Sequence, residues 1–206
     1  MSKSAKGSDF ERELCKLLSK WWTKGERDDV FWRTSQSGGR ATQRRKAGKS
    51  TYGSCGDLAT VDPIGTPLTS TCTIELKRGY SYANFADIFE MRPDSAQHLW
   101  EAFIEQAMRE ARDAGVPHWL LIVRRDSRKA IICFPKTFWK AVQLHADPTD
   151  DIAIGFIRPI AFIKLALRSK DTKSVTPFVH IGICPLDQFL QAVSPKTIIS
   201  IHKSIG

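Results

Sequence analysis

The sequence lacks the features that mark membrane and secreted proteins. No apolar run approaches the roughly 20 residues that a helix needs to cross a bilayer, and no lipidation motif is present. The polar first nine residues do not resemble a signal peptide. The five cysteines are scattered and form no C-x-x-C pair, and the histidines show no ligand spacing, so neither pattern indicates a zinc or redox centre. We therefore expect an intracellular protein with reduced thiols.

Acidic residues are also in short supply. Asp and Glu number 22 against 31 Lys and Arg, which gives a formal net charge of +9. This balance favours a polyanionic partner, with nucleic acid ahead of an anionic membrane surface. The 206 residues, 42% of them apolar, are enough to bury a globular core.

The apolar spacing predicts helices and strands in alternation. One helical face recurs over about residues 9–22 and another over about 95–114, where Gly115 ends the second helix. Further helices are predicted over residues 137–144 and 186–193. Strands are predicted over residues 30–34, 119–123, 130–134, 152–157, 161–167 and 178–183. A polar segment after residue 146 divides the chain into a core domain, residues 1–146, and a β-rich C-terminal extension, residues 147–206, which we expect to pack on the core.

A glycine-rich basic loop covers residues 35–56 and contains no acidic residue. We interpret it either as a DNA-contacting segment that binds phosphates or as a solvated linker, and we favour DNA contact because it ends directly at Asp57. Its cations are Arg40, Arg44, Arg45, Lys46 and Lys49.

Residues 57–77 carry the pattern most directly linked to chemistry. They read as a hairpin around a turn at residues 63–67, which would place Asp57 beside Glu75 on neighbouring antiparallel strands. Alternation along the second strand puts Glu75 and Lys77 on one face. Two carboxylates on a rigid sheet suit a hard cation such as Mg²⁺, for which Mn²⁺ can substitute, and Lys77 can orient a water or neutralise phosphate charge. A solvated strand face also alternates charges in this way, so the spacing alone is not specific.

These residues resemble the PD-(D/E)xK nuclease superfamily, with Gly56-Asp57 followed by Glu75-Leu76-Lys77. The segment Lys6-Gly7-Ser8-Asp9-Phe10-Glu11 is similar to the opening helix of archaeal-type Holliday junction resolvases. The resemblance implies a restriction-endonuclease-like α/β core, in which helices flank a central mixed β-sheet, and a C-terminal β-rich extension. It also implies metal-dependent hydrolysis of DNA phosphodiester bonds.

The resemblance assigns three further residues. It makes Glu11 a catalytic and metal-binding carboxylate, although Ser8 and Glu11 also have the spacing of a capping box, and Glu13 is the alternative carboxylate. It places a basic, phosphate-binding residue at Arg33. It places a polar catalytic residue at Gln106, which as a helix-edge residue can equally be a buried, hydrogen-bonded glutamine.

Three departures bear on the substrate. Glycine replaces the nominal proline before Asp57, the basic loop is long, and the last third of the chain has no counterpart, a combination more typical of a phage or mobile-element nuclease. We expect a Mg²⁺-dependent DNA endonuclease in the cytoplasm of a prokaryotic or phage-infected cell, acting on branched DNA in recombination. Alternatives are a restriction-type, flap or single-strand nuclease, or a noncatalytic DNA-binding protein with this fold. Paired cuts in two strands favour a homodimer.

Overall fold

The computed structural model describes residues 3–34, 56–90, 96–146, 161–168 and 175–205. The helices are α1 (Lys3–Trp22), α2 (Thr66–Thr71), α3 (Asp87–Glu90), α4 (Leu99–Ala114), α5 (Lys136–His145), α6 (Leu186–Ala192) and α7 (Pro195–Ile205), with a 3-10 helix at Pro63–Gly65. The strands are β1 (Phe31–Arg33), β2 (Leu58–Thr60), β3 (Cys72–Arg78), β4 (His118–Arg124), β5 (Ile131–Pro135), β6 (Ala161–Arg168) and β7 (Val175–Pro185).

The central feature is a five-stranded mixed sheet in the order β3-β4-β5-β7-β6. Strands β3 and β4 run parallel, and the other neighbouring pairs are antiparallel. Strands β1 and β2 form a separate antiparallel pair. This sheet with helices around it confirms the predicted α/β core, and β6 and β7 show that residues beyond 146 contribute strands to the same sheet.

Helices cover both faces of the sheet because successive strand residues point to opposite sides. On one face, α1, α5, α6 and α7 pack against Ile74 and Leu76 of β3 and their neighbours. On the other face, α4 packs through Phe103 and Ala107 against Leu121 of β4. The catalytic candidates of β3 alternate with Ile74 and Leu76 and therefore lie on the α4 side.

Local sequence signals set the ends of α4. The ring nitrogen Nδ1 of His98 accepts a hydrogen bond from Trp100 N, and the Glu101 carboxylate accepts one from His98 N at 2.7 Å. At the other end, Gly115 adopts a φ of +70°, a left-handed conformation that favours glycine. The prediction that this helix ends at Gly115 is confirmed.

Two local predictions are wrong. Helix α1 begins at Lys3, so Ser8 lies inside it and does not cap it, and the Ser8–Glu11 capping box does not form. Residues 57–77 do not form a hairpin, because the 3-10 helix and α2 separate β2 from β3, and β3 pairs in parallel with β4. Pro67 near the start of α2 explains the error, since proline suits both turns and first helical turns.

Two predictions fall outside the described residues: the strand over residues 152–157 and the polar segment after residue 146. The division of the chain at residue 146 therefore stays a prediction. The helix predicted over about 95–114 begins later, at Leu99, because His98 caps it. Within the described ranges, none of the helices combines the length and apolarity required to cross a membrane.

Candidate active site

The first component of the site is Asp57, which lies just before β2 and against the outer edge of β3. Its backbone N–H donates to the carbonyl of Ile74 at 2.8 Å, and its Oδ2 accepts a hydrogen bond from Leu76 N at 2.8 Å. The side chain is 9% exposed. Asp57 is thus fixed both through its backbone and through its carboxylate to one strand.

Gly56 allows this close approach. It has a φ of +81°, and a Cβ at this position would lie 2.7 Å from the carbonyl oxygen of Ile74. Thr34 holds the same segment from the other side, because its hydroxyl donates to Gly56 O at 2.9 Å and its N–H donates to Asp57 O at 3.0 Å. Only glycine fits without strain, which gives a physical reason for glycine before the aspartate.

Glu75 and Lys77 project from β3 on the α4 side of the sheet, as their strand alternation predicts. Lys77 Nζ donates to Glu75 Oε1 at 2.5 Å, and it lies 5.4 Å from the ring centroid of Phe103. Glu75 is only 2% exposed. The alternative interpretation of this motif as a solvated strand face is therefore wrong for these two residues.

Gln106 on α4 joins the same cluster. Its Oε1 accepts a hydrogen bond from Lys77 Nζ at 3.0 Å, and its Nε2 donates to Glu75 Oε1 at 2.8 Å. One amide thereby contacts both the carboxylate of Glu75 and the ammonium of Lys77, the two charged groups of the Glu75-Leu76-Lys77 (E-x-K) motif. The sequence left two interpretations of Gln106, a polar catalytic residue and a buried, hydrogen-bonded glutamine. Gln106 is hydrogen-bonded within the candidate site, which is compatible with both.

Glu110 is a member of the cluster that sequence reasoning missed. Its Oε1 accepts from Gln106 Nε2 at 2.9 Å, and its carboxyl group lies close enough to Glu75 to raise the pKa of Glu75. The signal was available, because residues four apart on a helix share one face. Glu110 follows Gln106 at that spacing.

Glu11 approaches the cluster from α1. Its Oε2 lies 3.6 Å from Arg33 Nη1, and the same guanidinium nitrogen donates to the hydroxyl of Ser8. The Glu11 side chain is largely buried. Burial raises the pKa of Glu11, and the Asp57 carboxylate raises it further. Glu11 therefore lies beside Arg33 and close enough to Asp57 for their charges to interact.

Glu13, the alternative carboxylate, faces a different set of residues. It accepts a hydrogen bond from Arg124 Nη1 at 2.6 Å and lies 4.0 Å from Arg78 Nη1. Its side chain is 55% exposed. Of the two carboxylates that the sequence offered on α1, Glu11 is the one beside Arg33 and Asp57.

The electrostatics of the site are dominated by the burial of its carboxyl groups. Burial raises the pKa of Glu75 to about 9, and the Asp57 carboxylate reinforces this rise while Lys77 opposes it. Burial also raises the pKa of Asp57, against the hydrogen bond from Leu76 N–H. Burial lowers the pKa of Lys77, but the Glu75 carboxylate outweighs it and the net pKa lies above its ordinary value. The carboxyl groups therefore hold their protons more tightly than in water.

This donor set fits a divalent cation. Among the described residues, no three His, Cys, Asp or Glu side chains stand close enough to form a ready metal-binding group. However, the Asp57 and Glu75 carboxyl groups lie close enough for each to affect the pKa of the other. Oxygen donors of this kind suit Mg²⁺, and a bound cation would favour the ionised forms that burial disfavours.

The predicted phosphate-binding residues divide into two groups. Arg33 lies at the site, next to Glu11. The remaining cations lie outside the described residues: Arg40, Arg44, Arg45, Lys46 and Lys49. Their contact with DNA stays a prediction.

Comparison with known proteins identifies a family for nearly the whole chain. A family model described as "phage putative PDDEXK endonuclease" matches residues 2–199. A search of curated proteins found no significant match, and neither did a search of solved structures. The matched range includes β3 with its E-x-K motif, Asp57 and the α4 glutamine. The chain belongs to the phage PDDEXK endonuclease family.

Proposed function

We propose that the protein is a Mg²⁺-dependent DNA endonuclease whose catalytic residues are Glu11, Asp57, Glu75, Lys77 and Gln106. The observation that carries this proposal is the hydrogen-bonded cluster of Glu75, Lys77 and Gln106 beside the anchored Asp57. Membership of an endonuclease family supports hydrolysis of phosphodiester bonds, and the net charge of +9 supports a DNA substrate.

Each residue has a defined part in the proposed chemistry. Asp57 and Glu75 would hold Mg²⁺, with Glu11 as a further ligand directly or through a water, and Mn²⁺ would substitute. A cation held there would supply polarisation of the phosphodiester and a lower pKa for a bound water. Lys77 orients the attacking water and neutralises charge that develops on the phosphate. Gln106 holds the Lys77 ammonium and the Glu75 carboxylate at their observed separation.

The finer proposal concerns the DNA structure. The opening helix with Glu11 is similar to that of Holliday junction resolvases, so we propose a branched substrate, cut by a homodimer with one site for each strand. Restriction-type, flap and single-strand cutting are the alternatives within the same chemistry. A noncatalytic DNA-binding protein is disfavoured because the whole cluster is packed and hydrogen-bonded.

A cleavage assay tests the proposal. Labelled four-way junction, flap, linear duplex and single-stranded DNA of equal length are incubated with Mg²⁺ or with EDTA. We expect cutting of the junction with Mg²⁺, loss of cutting in EDTA, and a decrease of about 100-fold or more for Glu75→Gln. Glu26→Gln removes an exposed carboxylate and is the matched control. Cutting that survives both EDTA and Glu75→Gln would contradict the metal site, and a preference for another substrate would exclude the resolvase.

A further inference from the structure

A groove lies on the face of the sheet opposite α4, between α1, the turn after β4 and α6. It has a volume of about 990 Å³. We name it the α1–α6 groove and define it by Leu17, Lys20, Trp21, Lys24, Arg128 and Leu190. The residues that define it all belong to the described ranges.

The groove carries an excess of positive charge. Five Lys and Arg side chains line it against two carboxylates. Arg124 pairs with Glu13 at 2.6 Å, and Lys129 pairs with Asp187 at 2.8 Å. The other three cations are exposed and make no ion pair within the described parts of the chain: Lys20, Lys24 and Arg128. Their charge is complementary to a chain of phosphates.

The floor of the groove is apolar. Leu17 lines it and is 42% exposed. Trp21 is fixed in position, because its indole Nε1 donates to Leu190 O at 2.9 Å. Unpaired bases offer apolar faces to such a floor, whereas a duplex keeps its bases stacked inside. A basic rim above an apolar floor therefore favours a single strand.

The groove is connected to the end of β3 through three charged residues, Arg78, Arg124 and Glu13. Arg124 at the end of β4 is the register partner of Arg78, which directly follows Lys77 in β3. Glu13 contacts both arginines and lines the groove. A strand that passes around the carboxyl end of β3 would meet these arginines between the cluster on the α4 side and the groove on the opposite face.

We propose that the α1–α6 groove binds an unpaired DNA strand that extends from the cleavage site, an inference that rests on the proposed function. The branched substrate would then carry a single-stranded arm at or near the scissile bond, as a flap does, whereas a fully paired four-way junction has no such arm. Lys20, Lys24 and Arg128 contact its phosphates, and Leu17 and Trp21 contact its bases.

Binding measurements on the full-length protein in EDTA test this inference. Fluorescence anisotropy compares a blunt duplex with the same duplex bearing an unpaired tail of about 12 nucleotides. The test variant is Lys20→Gln/Lys24→Gln, and the matched control is Lys196→Gln/Lys203→Gln, which removes two exposed lysines from α7. Circular dichroism and thermal melting confirm that both variants are folded.

We expect the tail to strengthen binding of the wild type and of the control. In the test variant this gain should fall on the order of tenfold at about 0.1 M salt, and the salt dependence for tailed DNA should weaken by about 1.4 in log–log slope, since each phosphate contact to a single strand contributes about 0.7. Leu17→Ala should weaken tailed binding without changing the salt slope.

Other results would overturn the groove proposal. One is equal binding of blunt and tailed DNA by the wild type, and another is an equal loss of tailed binding in the control variant. A third is a wild-type dimer that becomes a monomer in the test variant, which would make the groove a contact between two copies. The cleavage assay separates the two proposals. If the test variant loses tail-dependent binding but the wild type cuts no DNA, the groove proposal is supported and the nuclease proposal is contradicted. Mg²⁺-dependent cutting without any tail effect would support the nuclease proposal and contradict the groove proposal.

Discussion

Glu75→Gln changes one oxygen of a buried carboxyl group to an amide nitrogen and keeps the shape of the side chain. The remaining carbonyl can still accept the hydrogen bonds that Lys77 Nζ and Gln106 Nε2 now donate to Oε1. The substitution therefore isolates the effect of the titratable charge. We expect it to stabilise the metal-free protein.

The magnitude follows from the pKa of Glu75, which burial raises from 4.5 to about 9. An acid whose pKa is higher in the folded state stabilises the fold most below its unfolded pKa. That stability is lost progressively as the pH rises from 4.5 to about 9. Each pH unit in this window corresponds to about 1.4 kcal/mol, so at pH 7 the wild type should be less stable than the variant by about 3 kcal/mol.

Thermal or urea unfolding in EDTA at several pH values measures this difference. For a chain of this length, about 3 kcal/mol corresponds to a rise in Tm of about 6–12 °C. At pH 5 the difference should shrink to about 1 kcal/mol or less. Glu26→Gln should show no comparable change, because that carboxylate is exposed. A variant that is less stable than the wild type, or a gain that is the same at pH 5 and pH 8, would refute the assignment of buried negative charge to this site.

Four further outcomes are expected. Gly56→Ala should lower kcat by about 100-fold by displacing Asp57, whereas Gly115→Ala, also at positive φ but with open space around its Cβ, should retain activity in the same cleavage assay. Glu110→Ala should lower kcat about tenfold with KM unchanged, and Glu110→Gln should restore it because its amide oxygen can accept from Gln106; equal defects in both variants would argue against this positioning role. Mg²⁺ should raise the Tm of the wild type but not that of Glu75→Gln in a thermal shift assay. Burial lowers the pKa of His118, so the wild type should lose stability relative to His118→Phe as the pH falls below 6.5, and parallel pH profiles would contradict this.

The sequence predicted the parts of the site that depend on local periodicity. Alternation along a strand placed Glu75 and Lys77 on one face, and the structure shows them in contact. The helical pattern of α4 allowed Gln106 to be matched to the site but not Glu110, although the two are four residues apart. The resemblance specifies one polar position on this helix, and Glu110 lies one turn beyond it.

Nonlocal contacts account for what the sequence did not predict. The Gly56 contact depends on where Ile74 lies, and no spacing rule reports that distance. Likewise, the choice between Glu11 and Glu13 depends on which arginines surround each carboxylate in the folded protein. The prediction of a hairpin over residues 57–77 was wrong for a different reason. Prolines and small residues in that segment are compatible with both a turn and the short helix α2.

The absence of a hairpin over residues 57–77 also explains how the site is built. Strand β3 lies at the edge of its sheet in the part of the chain that is described, so one side of its backbone has no partner strand. Asp57 uses that side: its N–H donates to Ile74 O, and its carboxylate accepts from Leu76 N. A hairpin partner would have taken the Leu76 N–H into a backbone ladder and left the carboxylate without its anchor. The same two contacts therefore satisfy an exposed strand edge, which would otherwise invite pairing with another chain, and hold the aspartate beside Glu75.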